Sequence, residues 1–462
     1  MERGLPDRAI LPVGASRIII VGGVAAGMSA ASQAKRHDPG AEVIALEQGE
    51  FASYASCGIP YYISEVVKDH RTLIAVTPGE FREKRKIDLR LHHKAREIRP
   101  AEGVISVSDL KKKKTFDIPY DKLVICAGAR STRLTIPGSE SENVFYLRGL
   151  NDGIRLMGFL RDRNPARAVI IGAGYVGLEL AEAFRARGMV VTIIARSAAV
   201  MRRLEPDISS IVEDELDSQG AVLKKETNIE EFETKNGMVR GIVTDKGEIE
   251  TDIVLMAIGI RPNSELARAA GVKLGAMGAI AVNDRMETSA ENIYSAGDCA
   301  ETFHRVTGKP AWIPLGDTAN KQGRVAGANA AGGSETFPGV VGSSVAKVFD
   351  LAVARTGLSI GEAKEAGFNP ASHTTTDRSR AAYYPGSKPL TITLIFDKSS
   401  ERLLGAQLVG PDGVAKRNDV LATAITAGMT LRDIENLDLC YAPPYSPVYD
   451  PLLVAARQAR KS

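Results

Sequence analysis

Two glycine-rich turns, each set between a run of β-branched residues and a stretch of small ones, constrain this chain more than any other feature. The first lies in "RIIIVGGVAAGMSAASQAKRHDPGAEVIALEQ". It reads as a strand over Ile18–Val21, a helix from about Ala25 to His37 and a second strand over Glu42–Leu46. Such a βαβ unit puts unpaired helix N–H groups where a dinucleotide pyrophosphate can sit. Gly22 and Gly27 hold the outer places of the G-x-G-x-x-G pattern, but the middle place falls on Val24. Glu47 ends the second strand, where a carboxylate can accept ribose hydrogen bonds. A plain packing unit is the competing reading, because the middle glycine normally admits the phosphate.

The second unit, "ARAVIIGAGYVGLELAEAFRARGMVVTIIAR", carries the full pattern at Gly172, Gly174 and Gly177. A strand over 167–171, a helix over about 175–187 and a strand over Val190–Ile194 are expected. That last strand ends in Ala195 and Arg196, with no carboxylate for a free 2′-hydroxyl. Arg196, with Arg202 or Arg203, suits a 2′-phosphate and favours NADPH over NADH. An exposed Arg196 that leaves both coenzymes usable is the alternative.

Two units in one chain predict two nucleotides. "METSAENIYSAGDCAE" places Asp298 after a strand and turn, near the start of the next helix. This resembles the flavin-contacting segment of the two-dinucleotide-binding flavoproteins, in which the aspartate bonds the ribityl chain. "KLVICAGARSTRLTIPG" (Lys122–Gly138) resembles their linker between FAD and NAD(P) domains. The resemblance puts FAD on the first unit, with Ala26, Ala127 and Gly128 in its site, and NADPH or NADH on the second. The expected fold is α/β: two Rossmann-like dinucleotide-binding domains plus a C-terminal α+β dimerisation domain. The boundaries read as an FAD domain over 16–148 and 266–332, an NAD(P) domain over 149–265 and a dimerisation domain over 333–462.

Composition excludes other classes. A net charge of +3 over 462 residues is too small to argue for nucleic acid or a membrane surface. The one basic block, Lys111–Lys114, lies between strand-like segments and reads as a solvated hairpin turn. No stretch approaches the roughly 18–20 apolar residues of a spanning helix. Residues 1–15 lack the apolar core of a signal peptide and read as a disordered lead, so a cytoplasmic location is expected. The four cysteines, Cys57, Cys126, Cys299 and Cys440, have no metal-ligand spacing and should be free thiols there.

Cys57 stands in "SYASCGIP" without a second cysteine three or four positions away. It precedes an expected helix, "IPYYISEVV", whose N-terminus, with a nearby flavin, should lower the thiol pKa. From about Ser16 onward the chain resembles the single-cysteine branch of the pyridine nucleotide–disulfide oxidoreductases, most closely its coenzyme A disulfide and NAD(P)H-dependent persulfide reductases. "ASQAKR", "SYASCGIPYYI", "TPGEFREKRKI", "GAGYVGLEL", "NIYSAGD", "AAYYPGSKPL" and "CYAPPYSPVYD" carry the resemblance.

The resemblance implies that Cys57 alternates between thiolate and a mixed disulfide with CoA, the substrate supplying the second sulfur. It implies a homodimer in which Tyr383 and Tyr441 reach the cysteine from the partner subunit, where a phenol can protonate a leaving thiolate. Interface packing is the competing reading of that pair. It assigns CoA to Gln33, Arg36, Ser53, Ser56 and Arg85, with solvated surface as the alternative. Ser56 stands where the family can have asparagine, and Arg85 where it has lysine. The implied function is an FAD-dependent oxidoreductase passing electrons from NAD(P)H to Cys57 and on to CoA disulfide or a related disulfide or persulfide. Polysulfide or CoA-persulfide reductase, NADH oxidase and a non-catalytic FAD redox sensor are the alternatives. Cys126 and Cys299 read as packed core residues; Cys440 comes near Cys57 only if Tyr441 crosses the dimer.

Overall fold

The computed structural model describes residues 16–461, so the expected lead over 1–15 lies outside the described residues. Arg17–Val21 is the central strand of a five-stranded parallel sheet. Its neighbours are Glu42–Glu47 and then Asp88–Leu91 on one side, Lys122–Ile125 and then Ile293–Ser295 on the other. Ile18, Ile19 and Ile20 are wholly buried, as a strand covered on both faces requires; this is why the segment reads as an unbroken apolar run. The helix that follows spans Ala25–His37.

A second parallel sheet repeats the plan. Arg167–Ile171 lies between Val190–Ile194 and Ile253–Met256, with Ala221–Lys224 and Val144–Tyr146 at the edges. Val144–Tyr146 thus pairs into this sheet ahead of residue 149, where the sequence reading begins the unit. Three residues carry too little periodicity to announce which sheet they join.

The C-terminal part is a five-stranded antiparallel sheet in the order Ser344–Val348, Leu351–Gly357, Leu403–Gly410, Pro389–Asp397, Pro370–Arg378. Helices Val414–Ala427 and Pro451–Ala459 pack on it. The lysine block forms the expected turn between strands Val104–Asp109 and Lys114–Pro119. Asp109 fixes it by accepting the N–H groups of Lys111 and Lys112. No helix among the described residues is long and apolar enough to cross a membrane.

The helix Ala25–His37 packs closely on Gly316–Ala330. A Cβ on Gly323 would stand 2.3 Å from the Ala26 carbonyl oxygen, and one on Gly327 2.1 Å from that of Ala30. Only glycine permits this approach. It sets Asn320 against Ser29, whose Oγ donates to it at 2.7 Å. Asp298 does not open a helix, contrary to the sequence reading. A hairpin of two three-residue strands, Thr302–His304 and Lys309–Ala311, intervenes before Gly316–Ala330.

Candidate active site

The first glycine turn is built as a nucleotide cradle. Gly22 has φ +112°, and a Cβ there would lie 2.1 Å from the Cys126 carbonyl oxygen. A Cβ on Gly27 would lie 1.8 Å from the Gly22 carbonyl oxygen. Val24 sits at φ −110°, ψ −139°, which an L-residue adopts without left-handed strain. Gly174, its counterpart in the second turn, sits at φ −93°, ψ −175°, and a Cβ there would meet nothing within 4 Å. The absent middle glycine therefore brings no left-handed strain at Val24.

Glu47 accepts the N–H of Gly23 at 2.7 Å and of Gly49 at 2.6 Å. Burial raises its pKa and those two bonds oppose the rise. Its carboxylate is thus anchored at the turn, where ribose hydroxyls would donate to it. Gly297, at φ +81°, packs against Ala26 and brings Asp298 to the same place. The Asp298 carboxylate pairs with Arg148, and its carbonyl accepts the indole N–H of Trp312 at 2.9 Å. Asn263 ties down the linker by donating to the carbonyls of Ala127 and Gly128. Thr318, in the first turn of Gly316–Ala330, keeps a buried hydroxyl without a partner. Close-approach glycines, an anchored carboxylate and an unpartnered hydroxyl fit FAD.

The second turn uses the same device. A Cβ on Gly172, at φ +111°, would lie 2.2 Å from the Ala257 carbonyl oxygen, and one on Gly177 2.1 Å from that of Gly172. Ala195 is buried at the strand end; Arg196, Arg202 and Arg203 are exposed. Arg203 pairs with Glu362 at 3.4 Å.

Cys57 lies in a single 3₁₀ turn, Ser56–Gly58, ahead of the short helix Ile59–Ile63. Ser53, at φ +51°, fastens this segment to the first glycine turn by donating its N–H to the Gly23 carbonyl at 2.8 Å. The thiol is accessible. Its pKa is raised, not lowered: partial burial is the main cause, the charges of Glu179 and Asp298 add to it, and Arg148 opposes. A five-residue helix has too few aligned peptide dipoles to outweigh two carboxylates. Glu179 itself titrates at about 7, because burial and the neighbouring Glu182 disfavour its charge. Tyr61 also senses Glu179, Glu182 and Cys57, and its pKa is raised, chiefly by burial.

The first unit thus brings Cys57 and Asp298, the second brings Glu179, and Arg148 comes from the segment between them. Sequence reasoning missed Arg148, Glu179 and Tyr61. Only the position of Glu179, two residues beyond Gly177 on the nucleotide-facing helix, offered a signal.

The other predicted residues divide into three groups. Arg85 reaches the first helix, donating to Ser32 at 3.2 Å and lying over Phe81, while Arg36 contacts Gln33. Gln33 also borders a groove of about 740 Å³ whose lining mixes Arg305, Lys321 and Arg324 with Asp317, Glu335 and Asp419. Ser53 and Ser56 belong to the Cys57 segment. Tyr383 and Tyr441 are hydrogen-bonded to each other, which raises the Tyr383 pKa. They stand 76% and 49% exposed beside exposed Tyr445, Val448 and Tyr449. Neither is among the groups that set the Cys57 titration within one chain. Cys126 and Cys299 are buried, and Cys440 is exposed.

The pyridine nucleotide-disulphide oxidoreductase family matches residues 16–323, and its dimerisation domain matches residues 343–451. The chain is 41% identical to a CoA-dependent NAD(P)H sulfur oxidoreductase of Pyrococcus furiosus, over 96% of this chain and 98% of that one. It is 33% identical to a coenzyme A disulfide reductase of Staphylococcus aureus, over 93% and 96%. Among solved structures, an engineered water-forming NADPH oxidase bound to NADPH superposes with a TM-score of 0.92 at 30% identity, over 96% and 98%. That variant of a Lactobacillus brevis NADH oxidase has a consecutive Asp-Ala-Met changed to Ala-Arg-Ser and a proline five residues further on changed to arginine. A glycine eighteen residues before the run is changed to alanine.

Proposed function

The chain belongs to the pyridine nucleotide-disulphide oxidoreductases, and from that premise we propose that it uses NADPH to reduce a disulfide or persulfide of coenzyme A through one thiol, Cys57. It is an NAD(P)H-dependent flavoprotein oxidoreductase of the disulfide-reductase type. The observation that carries the proposal is the convergence of both nucleotide units on one accessible thiol. Cys126 and Cys299 are buried and Cys440 lies in the part that matches the dimerisation domain, and on this reading the second sulfur is the substrate's.

Bound in the first cradle, FAD would take two electrons from the coenzyme and make them available for S–S cleavage. The chain's own groups do the rest. The Cys57 thiolate attacks one sulfur of the substrate; a Cys57–sulfur bond forms, the substrate S–S bond breaks, and one thiolate leaves. With CoA disulfide the adduct is a mixed disulfide. With a CoA persulfide attacked at its outer sulfur, it is a Cys57 persulfide. Two electrons and a proton then cleave the adduct, restoring Cys57 and releasing the second thiol or hydrogen sulfide. Arg36 and Arg85, with Gln33, hold the anionic end of CoA, and Ser53 and Ser56 orient the end nearer Cys57.

The exposed Tyr383–Tyr441 pair lies in the part of the chain that matches the dimerisation domain or borders it, and in a homodimer it would protonate the leaving thiolate of the partner subunit. Coenzyme choice follows from the end of the second strand. Ala195-Arg196-Ser197, with Arg202 five residues on, reproduces in residue type and spacing the changes in the NADPH-bound oxidase, while Gly177 keeps the glycine. Two free guanidinium groups beside a buried alanine suit a 2′-phosphate.

Ionised Glu179 raises the Cys57 pKa, so Glu179→Gln is expected to lower it. The rate of Cys57 alkylation against pH, followed by peptide mass so that Cys440 is not counted, reads this out. An unmoved profile would remove Glu179 from the site's electrostatics.

The function itself is tested by anaerobic turnover with CoA disulfide, CoA persulfide and polysulfide, against cystine and, separately, oxygen. Phosphate contacts to Arg36 and Arg85 should favour CoA-bearing acceptors over cystine by about 10²-fold in kcat/KM. Oxygen turnover faster than all sulfur acceptors would favour the oxidase reading instead.

A further inference from the structure

The loop that carries Arg202 is gripped from outside its own domain. On one side, Met201 is buried at φ +45° and donates its N–H to the Ala173 carbonyl of the second glycine turn, at 2.8 Å. On the other side stands Gln407, in the middle of the buried strand Leu403–Gly410 of the C-terminal sheet. Its amide N–H donates to the Arg203 carbonyl at 3.0 Å, and its amide oxygen accepts the Glu205 N–H at 2.6 Å. The side chain thus holds the backbone on both sides of Leu204, as a neighbouring strand would. Glu205 adds a second strut by accepting the Ile360 N–H at 2.8 Å, and Arg203 adds a third through Glu362.

Gln407 is 1% exposed, and every other side chain of its strand is apolar or absent. A buried amide in such a strand is costly unless both its groups are bonded, and this one directs both to the loop. Arg202 is therefore bracketed between an anchor on the glycine turn and an anchor on the C-terminal domain. A guanidinium on a long side chain discriminates a phosphate only if its backbone origin is fixed.

We propose that Gln407 is a positioning residue for coenzyme selectivity: by fixing the 201–205 loop it aims Arg202 at the 2′-phosphate, so that the C-terminal domain takes part in the choice between NADPH and NADH. This rests on the NADPH reading above. It makes a distinct claim, that selectivity is set partly by a residue touching neither coenzyme nor substrate.

The test uses the holoenzyme and two competitive inhibitors, 2′,5′-ADP and 5′-AMP, which differ only in the 2′-phosphate. The wild type should bind 2′,5′-ADP more tightly, and Arg202→Ala should lose much of that preference. Gln407→Leu, of similar volume but without hydrogen bonds, should reduce the preference about fivefold. It should raise KM for NADPH without lowering kcat and leave KM for NADH within about twofold. Glu205→Ala should act in the same direction, and Glu205→Gln, which keeps the acceptor for Ile360, should restore the wild-type ratio. Should Gln407→Leu fail to fold, the Glu205 pair decides. If Gln407→Leu and Glu205→Ala keep the full preference while Arg202→Ala weakens it, the positioning role is wrong and the NADPH reading stands. If the wild type has no preference for 2′,5′-ADP, both fall.

Discussion

Cys57→Ser is expected to lower disulfide turnover by about 10³-fold or more, while NADPH still reduces the flavin. A serine hydroxyl is not ionised near neutral pH and forms no stable bond to sulfur, so the covalent step disappears. The nucleotide cradles do not depend on that side chain: they are formed by Gly22, Gly27 and Glu47 in one unit and Gly172 and Gly177 in the other. Loss of turnover with retained flavin reduction would separate the two halves of the reaction. Substantial disulfide turnover by the variant would overturn the single-thiol mechanism and direct attention to Cys440, the other exposed thiol.

The second large effect is on coenzyme choice. Ala195→Glu combined with Arg196→Ser should shift the NADPH-to-NADH ratio of kcat/KM by about 10²-fold or more toward NADH. Removing Arg196 loses a charge-assisted phosphate contact, of about 1.5–3 kcal/mol. Adding a carboxylate repels the 2′-phosphate and accepts hydrogen bonds from a free ribose, a separate contribution of similar size. The two compound because they act on opposite coenzymes. An unchanged ratio would show that the strand end does not read the ribose, and would leave selectivity to Arg202 alone.

The two nucleotide units were legible because each rests on a parallel strand buried on both faces, which must read as a continuous β-branched run, followed by a turn that only glycine can make. Arg17–Val21 and Arg167–Ile171 declare themselves in this way, and each following helix begins two residues before the last glycine of the pattern. Val24 was less legible. The motif counts it as a defect, whereas its φ of −110° lies outside the left-handed region that favours glycine.

What the sequence hid is tertiary. Cys57, Arg148, Glu179 and Asp298 are far apart along the chain, and nothing local in "LEL" tells a surface glutamate from one held near neutrality by burial and Glu182. The Cys57 pKa is raised chiefly by burial, with two carboxylates adding to it, and both causes are tertiary. A helix start is visible in sequence; two carboxylates arriving from elsewhere are not. Gln407 sits in "LLGAQLVG", where a lone polar residue in an apolar strand signals a buried hydrogen-bond duty but not its recipient.

The central claim is that the substrate supplies the sulfur partner of Cys57. The most direct test is the intact mass of the NADPH-reduced enzyme mixed anaerobically with CoA disulfide and quenched without thiol, followed by peptide mapping. The expected result is one CoA-sized adduct per chain on the Cys57 peptide, released by a thiol reductant and absent from Cys57→Ser. Turnover of CoA disulfide with no adduct on Cys57, or with the adduct on Cys440 instead, would contradict it.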